Sequence, residues 1–220
     1  MLLGVVLLYV GVVLIVNGIW LIGQARAAEA APSAAAAGEA ATGAELSGGR
    51  VSVATRAAAP PRARTGPLFI QNREVAIINL FTGFVGLAVS ITFLVQGSLT
   101  NDLTLVRGSG YVLLFAFTYL WVTINQFLNA GGHAFGWYCL FVAITAIPAG
   151  IYTLQAANGN TAAIWLGINW FAWAILWALF FALLALERPI AVFTGWVTII
   201  IGIGTAWAFA IAILEGKVSF

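Results

Sequence analysis

The sequence predicts an all-α integral membrane protein with six transmembrane helices per protomer in a compact bundle. Three observations predict it. Hydrophobic residues make up 62% of the 220, charged residues only 7%, and the mean hydropathy is +1.03, outside the balance of a water-soluble domain. Six uncharged apolar runs reach the ~20 helical residues needed to cross a hydrocarbon core of about 30 Å. The shorter segments of alternating polarity that a closed β-barrel would require are missing.

The first run, 2–22, opens Met-Leu-Leu and stays apolar through Ile22 with Asn17 inside it. "GQARAAEAAPSAAAA" follows with small-residue sites that a signal peptidase could read, but the run has no basic leader and is too long for a secretory signal. It is expected to be a retained helix. Residues 23–74 form the next unit, rich in Ala, Gly, Pro and Arg and without apolar periodicity. Pro32, Gly38, Gly43, Gly48, Gly49, Pro60 and Pro61 cut it into pieces too short to be stable helices alone. It is expected to be a disordered cytoplasmic loop, with a partner-docking segment as the functional alternative. The remaining unit, 75–220, carries the runs near 75–96, 110–129, 136–155, 162–186 and 190–214.

The first connection holds Arg26, Arg50, Arg56, Arg62, Arg64 and Arg73, and the fifth holds Arg188, against Arg107 and Lys217 on the other side. By the positive-inside rule the odd-numbered connections are cytoplasmic and both termini face outward. "FTGFV" at 81–85 recurs as "FTGWV" at 193–197, near the start of the second and sixth helices. This echo suggests three pseudo-repeated helical hairpins, 1–2, 3–4 and 5–6, although the fourth helix shows no such motif. Gly4, Gly11 and Gly18 recur every seven residues on the first helix, and Gly83 and Gly86 lie close on the second, as expected of surfaces where membrane helices approach closely.

Function is constrained first by what is missing. A net charge of +2 is too small for a nucleic-acid partner. The lone Cys139 allows no intrachain disulfide and no cysteine-rich metal site. No Asp, Glu, Lys, Arg or His lies well inside a run, whereas ion channels and proton-coupled carriers need ionisable groups or exposed carbonyls at membrane depth. A permeant solute should therefore be neutral. His133, the only histidine, falls in the short stretch "NAGGHAFG", and the paired Asp, Ser-His or zinc motifs of intramembrane proteolysis do not occur. No catalytic residue, metal or cofactor is expected.

Three stripes stand out. On the first helix Leu3, Leu7, Val10, Leu14 and Asn17 are spaced four, three, four, three. On the third, Phe115 and Tyr119 share a side. On the fifth, Leu166 precedes Trp170, Trp173 and Trp177, and at 100° per residue the three indoles fall within about 60° of one another. Spacing alone reads these stripes as bundle core or lipid-facing surface. Yet the indoles sit in mid-run, where an interfacial tryptophan belt is not expected; Trp20, Trp137 and Trp207 suit that belt better.

The stripes carry a resemblance. "LLYVGVVLIVNGIW", "FAFTYLWVTINQFL" at 115–128, "WYCLFVAITAIP" at 137–148 and "NWFAWAILW" at 169–177 resemble, in that order, the AmiS/UreI family of acid-gated urea channels and short-chain amide channels or transporters. The resemblance spans all six helices and omits the loop. It implies a homo-hexamer in the bacterial cytoplasmic membrane, each protomer with its own pore for a small neutral amide or urea, and a functional link to a cytoplasmic amidase or urease. Carried over by motif, the pore lining would include Leu3, Leu7, Val10 and Leu14, then Phe115 and Tyr119, then Trp170, Trp173 and Trp177. Leu166 stands where the family has a further tryptophan, which implies a wider or less selective cytoplasmic end. Ile201 stands where the urea channels carry a carboxylate, and the outward loops 97–109 and 156–161 contain no histidine. Acid gating between pH 5 and 7 is therefore not expected, and the motifs look closer to the amide branch.

The expected function is a passive facilitator of planar amides. Asn17, Asn125, Asn169 and the Tyr119 hydroxyl are candidates for hydrogen bonds near the path, and Asn79 is a candidate for bridging helices. The alternative is a non-conducting six-helix scaffold that binds a partner through the loop.

Overall fold

The computed structural model describes the backbone of residues 1–45 and 68–220, and side chains over 1–29 and 68–220. The order is α1 (Leu2–Glu45), α2 (Asn72–Thr100), α3 (Leu103–Leu128), α4 (His133–Gln155), α5 (Thr161–Leu184) and α6 (Ala191–Ile201). A π-helical segment, Gly202–Trp207, then runs straight into α7 (Ala208–Leu214), so the sixth span is one rod with a wider turn inside it. Six stretches are long and apolar enough to cross a membrane, the first being Leu2–Glu29.

The helix ends follow local chemistry. Asn101 and Asn129 adopt the left-handed conformation, φ 54° and 50°, that terminates α2 and α3. Asp102 then starts α3 by accepting from the Thr104 and Leu105 amides at 2.8 and 3.3 Å. Asn160 starts α5 by accepting from the Ala163 amide at 2.9 Å. These tight turns make α2–α3 and α4–α5 antiparallel neighbours.

Over 23–45 the structure differs from the expected loop, because α1 continues to Glu45. Its alanines extend a helix that already exists and so carry no nucleation penalty, whereas the sequence argument treated them as isolated pieces. The rest of the expected loop, 46–67, lies outside the described residues. The chain returns close to α1: the Gln24 amide donates to the Ile70 carbonyl at 2.9 Å, and Trp20 Nε1 donates to Asn72 Oδ1 at 3.1 Å.

The helices pair as α2 with α3, α4 with α5, and the sixth span with α1, rather than as 1–2, 3–4 and 5–6. Glycines near the start of α2, α4 and the sixth span set the closeness. A Cβ on Gly83 would meet the Leu120 side chain, one on Gly136 the Ala185 backbone, and one on Gly195 the Ile22 side chain and the Gly18 carbonyl. The echoed "FTGFV" and "FTGWV" thus serve the same packing. The fourth helix has its counterpart in "FGW" at 135–137, which the sequence reading missed. An aromatic follows each glycine, Phe84, Trp137 and Trp196, and all three are exposed. The pairs leave α1, α3 and α5 lining the interior.

Candidate functional site

The interior holds two cavities in line. The first, about 440 Å³, lies at the N-terminal ends of α1, α3 and α5. The second, about 200 Å³, lies at the C-terminal ends of α3 and α5 and beside Leu14, Asn17, Trp20 and Leu21 of α1. On α1 the first cavity reaches down to Val10 and the second begins at Leu14; on α3 the step is from Phe115 to Thr118 and Tyr119, and on α5 it is Trp173 to Trp177. Each step is three or four residues, close to one helical turn, so the barrier between the cavities is about 5–6 Å thick at 1.5 Å per residue. Nothing at that level carries a charge.

All eleven residues singled out from the sequence face one cavity or the other. Leu3, Leu7, Val10, Phe115, Leu166, Trp170 and Trp173 line the first. Leu14, Asn17, Tyr119 and Trp177 line the second. Leu166 shares its cavity with Leu3, because α5 runs parallel to α1; the topology expected from the arginines turns that end outward, whereas the motif implied the cytoplasmic end. The cavity it lines is the larger of the two.

Aromatic edges shape the barrier. The Phe115 ring lies against the tryptophan ridge, with centroids 5.5, 5.2 and 5.6 Å from Trp170, Trp173 and Trp177. Trp170 and Trp173 meet edge-on at 5.2 Å, and Tyr111 meets Trp170 edge-on at 5.0 Å. All three indoles are buried. Trp165 points away and packs on Phe209 at 4.8 Å. Trp20, expected in the interfacial belt, lines the second cavity instead, whereas Trp137 and Trp207 are exposed.

The polar candidates divide. Asn17 and Asn79 exchange amide hydrogen bonds of 3.1 and 2.7 Å between α1 and α2, so Asn17 is spent on a helix bridge although it borders the second cavity. Asn169 donates to the Thr205 carbonyl at 2.8 Å, tying α5 to the π-helical segment. Asn125 lines the second cavity and makes only a long bond, 3.4 Å, to the Gly131 carbonyl. The Tyr119 hydroxyl and Trp177 Nε1 are buried without a protein partner, and both residues line that same cavity. Buried donors of this kind are uncommon and expensive to leave unpaired. A carbonyl-bearing solute would satisfy them.

Three features escaped sequence reasoning. Tyr111 extends the Phe115–Tyr119 stripe by four residues, a signal that was available. Trp173 Nε1 bonds Thr205 Oγ1 at 2.9 Å, and the π-helical turn that presents Thr205 has no sequence signature. Ile201, just ahead of that turn, packs against both hydrophobic clusters of the bundle. His133 is not a loop residue but begins α4, exposed, where its Nε2 accepts from Trp137 Nε1 at 3.3 Å.

Comparison with known proteins agrees with this fold. The family model described as AmiS/UreI family transporter matches residues 2–50 and 68–217. The acid-activated urea channel of Helicobacter pylori is 32% identical over 160 residues, covering 63% of this chain and 82% of that one. A putative transporter protein, AmiS2, of Rhodococcus erythropolis is 34% identical over 146 residues, 66% of this chain and 68% of its own length. The crystal structure of the H. pylori urea channel superposes with a TM-score of 0.70 at 27% identity, covering 99% of both chains.

Proposed function

Starting from the premise that this chain belongs to the AmiS/UreI family of transporters, we propose that it is a passive channel for small neutral amides, acetamide-like short-chain amides and urea. The observation that carries the reading is the aligned pair of cavities with a one-turn barrier of aliphatic and aromatic side chains and no ionisable group within it. Among its relatives one is named as a urea channel and another, from Mycolicibacterium smegmatis, as a putative transporter of amidate substrates, and no coupling ion is needed for downhill flow.

The barrier selects by shape and desolvation. An ion would shed its hydration shell between Leu14, Phe115 and the indoles with nothing to replace it, which is prohibitive. A planar amide loses less. Its N–H edges can face the electron-rich faces of Phe115, Trp173 and Trp177, while past the barrier its carbonyl accepts from the Tyr119 hydroxyl and Trp177 Nε1. Two neutral donors bind weakly enough for release.

The arginine-rich connection orients the chain with both termini outside, so the larger cavity is the entrance from outside and the smaller one opens to the cytoplasm of a bacterial cell. The protomer functions as one of six in a homo-hexamer and feeds a cytoplasmic amidase or urease. Conduction is not acid-gated, since the sole histidine lies at the cytoplasmic start of α4. Stopped-flow light scattering on proteoliposomes with acetamide, urea and glycerol tests the reading: protein-dependent amide flux supports it, and its absence removes it.

A further inference from the structure

Arg107, in the second turn of α3, is the one charged side chain among the described residues that line the first cavity. Its guanidinium carbon lies 3.7 Å from the centroid of the Tyr152 ring on α4, a cation–π stack that fixes the planar head. Its Nη1 is buried and has no hydrogen-bond partner. The other polar lining residues are Thr104, Tyr111, Tyr152, Thr153 and Asn160, and none carries a carboxylate. A structural arginine at this depth would be expected to use its donors on a carboxylate or on backbone carbonyls. This one keeps a donor unspent, and its charge is balanced by no carboxylate side chain among the described residues that line the chamber.

Resting on the channel reading above, we infer that Arg107 is the specificity-determining residue of the entrance: it takes the carbonyl oxygen of the arriving amide by a charge-assisted hydrogen bond and keeps cations out. An unbalanced positive charge in a cleft with low-dielectric walls focuses its field, repelling cations of the same shape as the substrate and concentrating anions. Guanidinium, the cation isosteric with urea, is rejected here before it reaches the apolar barrier. A short-chain carboxylate such as propionate presents the same oxygen with a charge added, so it binds at Arg107 and competes with amide entry. Lysine at this position would keep the exclusion but lose the planar fork.

Two measurements on the full-length protein test this. In detergent, independently of transport, tryptophan quenching by iodide should exceed quenching by caesium, because Trp170 and Trp173 line the chamber; the excess should collapse in Arg107→Gln and survive in Arg107→Lys. In proteoliposomes with the voltage clamped by potassium and valinomycin, Arg107→Gln should raise guanidinium uptake relative to urea and weaken propionate inhibition, each on the order of tenfold, with Arg107→Lys restoring the exclusion. An iodide excess that is the same in Arg107→Gln as in the wild type would overturn the inference, whatever the flux. A charge-dependent quenching difference in a protein that passes no urea would instead count against the channel and leave the cation-excluding site standing.

Discussion

Trp173 Nε1 donates a 2.9 Å hydrogen bond to Thr205 Oγ1, so the central indole of the barrier is held by the π-helical segment of the sixth span. The anchor is itself fixed: Thr205 Oγ1 donates to the Ile201 carbonyl at 2.6 Å, and the Thr205 carbonyl accepts from Asn169 at 2.8 Å. A π-helical turn leaves a helix carbonyl free for an outside partner, and such turns are concentrated at functional sites. Thr205→Val keeps the shape and removes the acceptor. It should loosen the indole and let glycerol through more readily, while costing about 0.5–1.5 kcal/mol of stability; Thr205→Ser should retain selectivity. Comparing glycerol with acetamide flux in the two variants checks this.

Two tryptophans of α5, one at the barrier and one packed on the sixth span, should differ in effect. Trp173→Ala opens the barrier and should raise the permeability to larger neutral solutes. Trp165→Ala, which loses its packing on Phe209, should leave selectivity unchanged and lower only stability, by less than the ~3–5 kcal/mol of a fully buried aromatic because its indole is half-buried. Equal changes in selectivity at equal folded yield would return the ridge to mere packing.

Tyr119 separates binding from stability in the opposite way. Its hydroxyl has no protein partner, so Tyr119→Phe removes an unsatisfied buried donor and should leave the melting temperature unchanged or raise it. Amide flux should nonetheless fall several-fold, if the hydroxyl receives the solute carbonyl past the barrier. The check is a thermal melt and a flux assay on the same preparation.

Helix closeness gives a test of the fold. A Cβ on Gly18 would stand 2.5 Å from the Gly195 carbonyl, whereas one on Gly110 meets nothing within 4 Å. Gly18→Ala should force α1 off the sixth span at a cost of about 1–3 kcal/mol. Gly110→Ala should be neutral, and thermal unfolding of the two variants in one detergent decides.

Much of this was readable before any coordinates, for reasons that are specific. The spans follow from hydropathy because lipid permits little else. The stripes on α1, α3 and α5 follow because a spacing of three and four fixes a helix face, and the four-residue steps Val10–Leu14, Phe115–Tyr119 and Trp173–Trp177 then put the barrier at one level. Which face meets which neighbour is not encoded so locally. The Asn17–Asn79 exchange joins residues 62 apart, and the pairing of the first span with the last depends on Gly11, Gly18, Gly195 and Gly202 meeting across the whole chain. The direction of α5 decides which end Leu166 occupies, and the motif read without that direction implied an end that conflicts with the topology expected from the arginines. The π-helical turn gives no periodic signal, so the Thr205 anchor was invisible.

The most direct test of the central claim is the uptake of acetamide and urea into proteoliposomes, measured by stopped-flow light scattering at pH 7.5 and pH 5 with glycerol as the control. The account predicts protein-dependent amide flux that is the same at both pH values and exceeds that of glycerol. Flux no greater than that of empty liposomes at either pH would contradict it and leave a six-helix scaffold; flux appearing only at pH 5 would contradict the ungated pore.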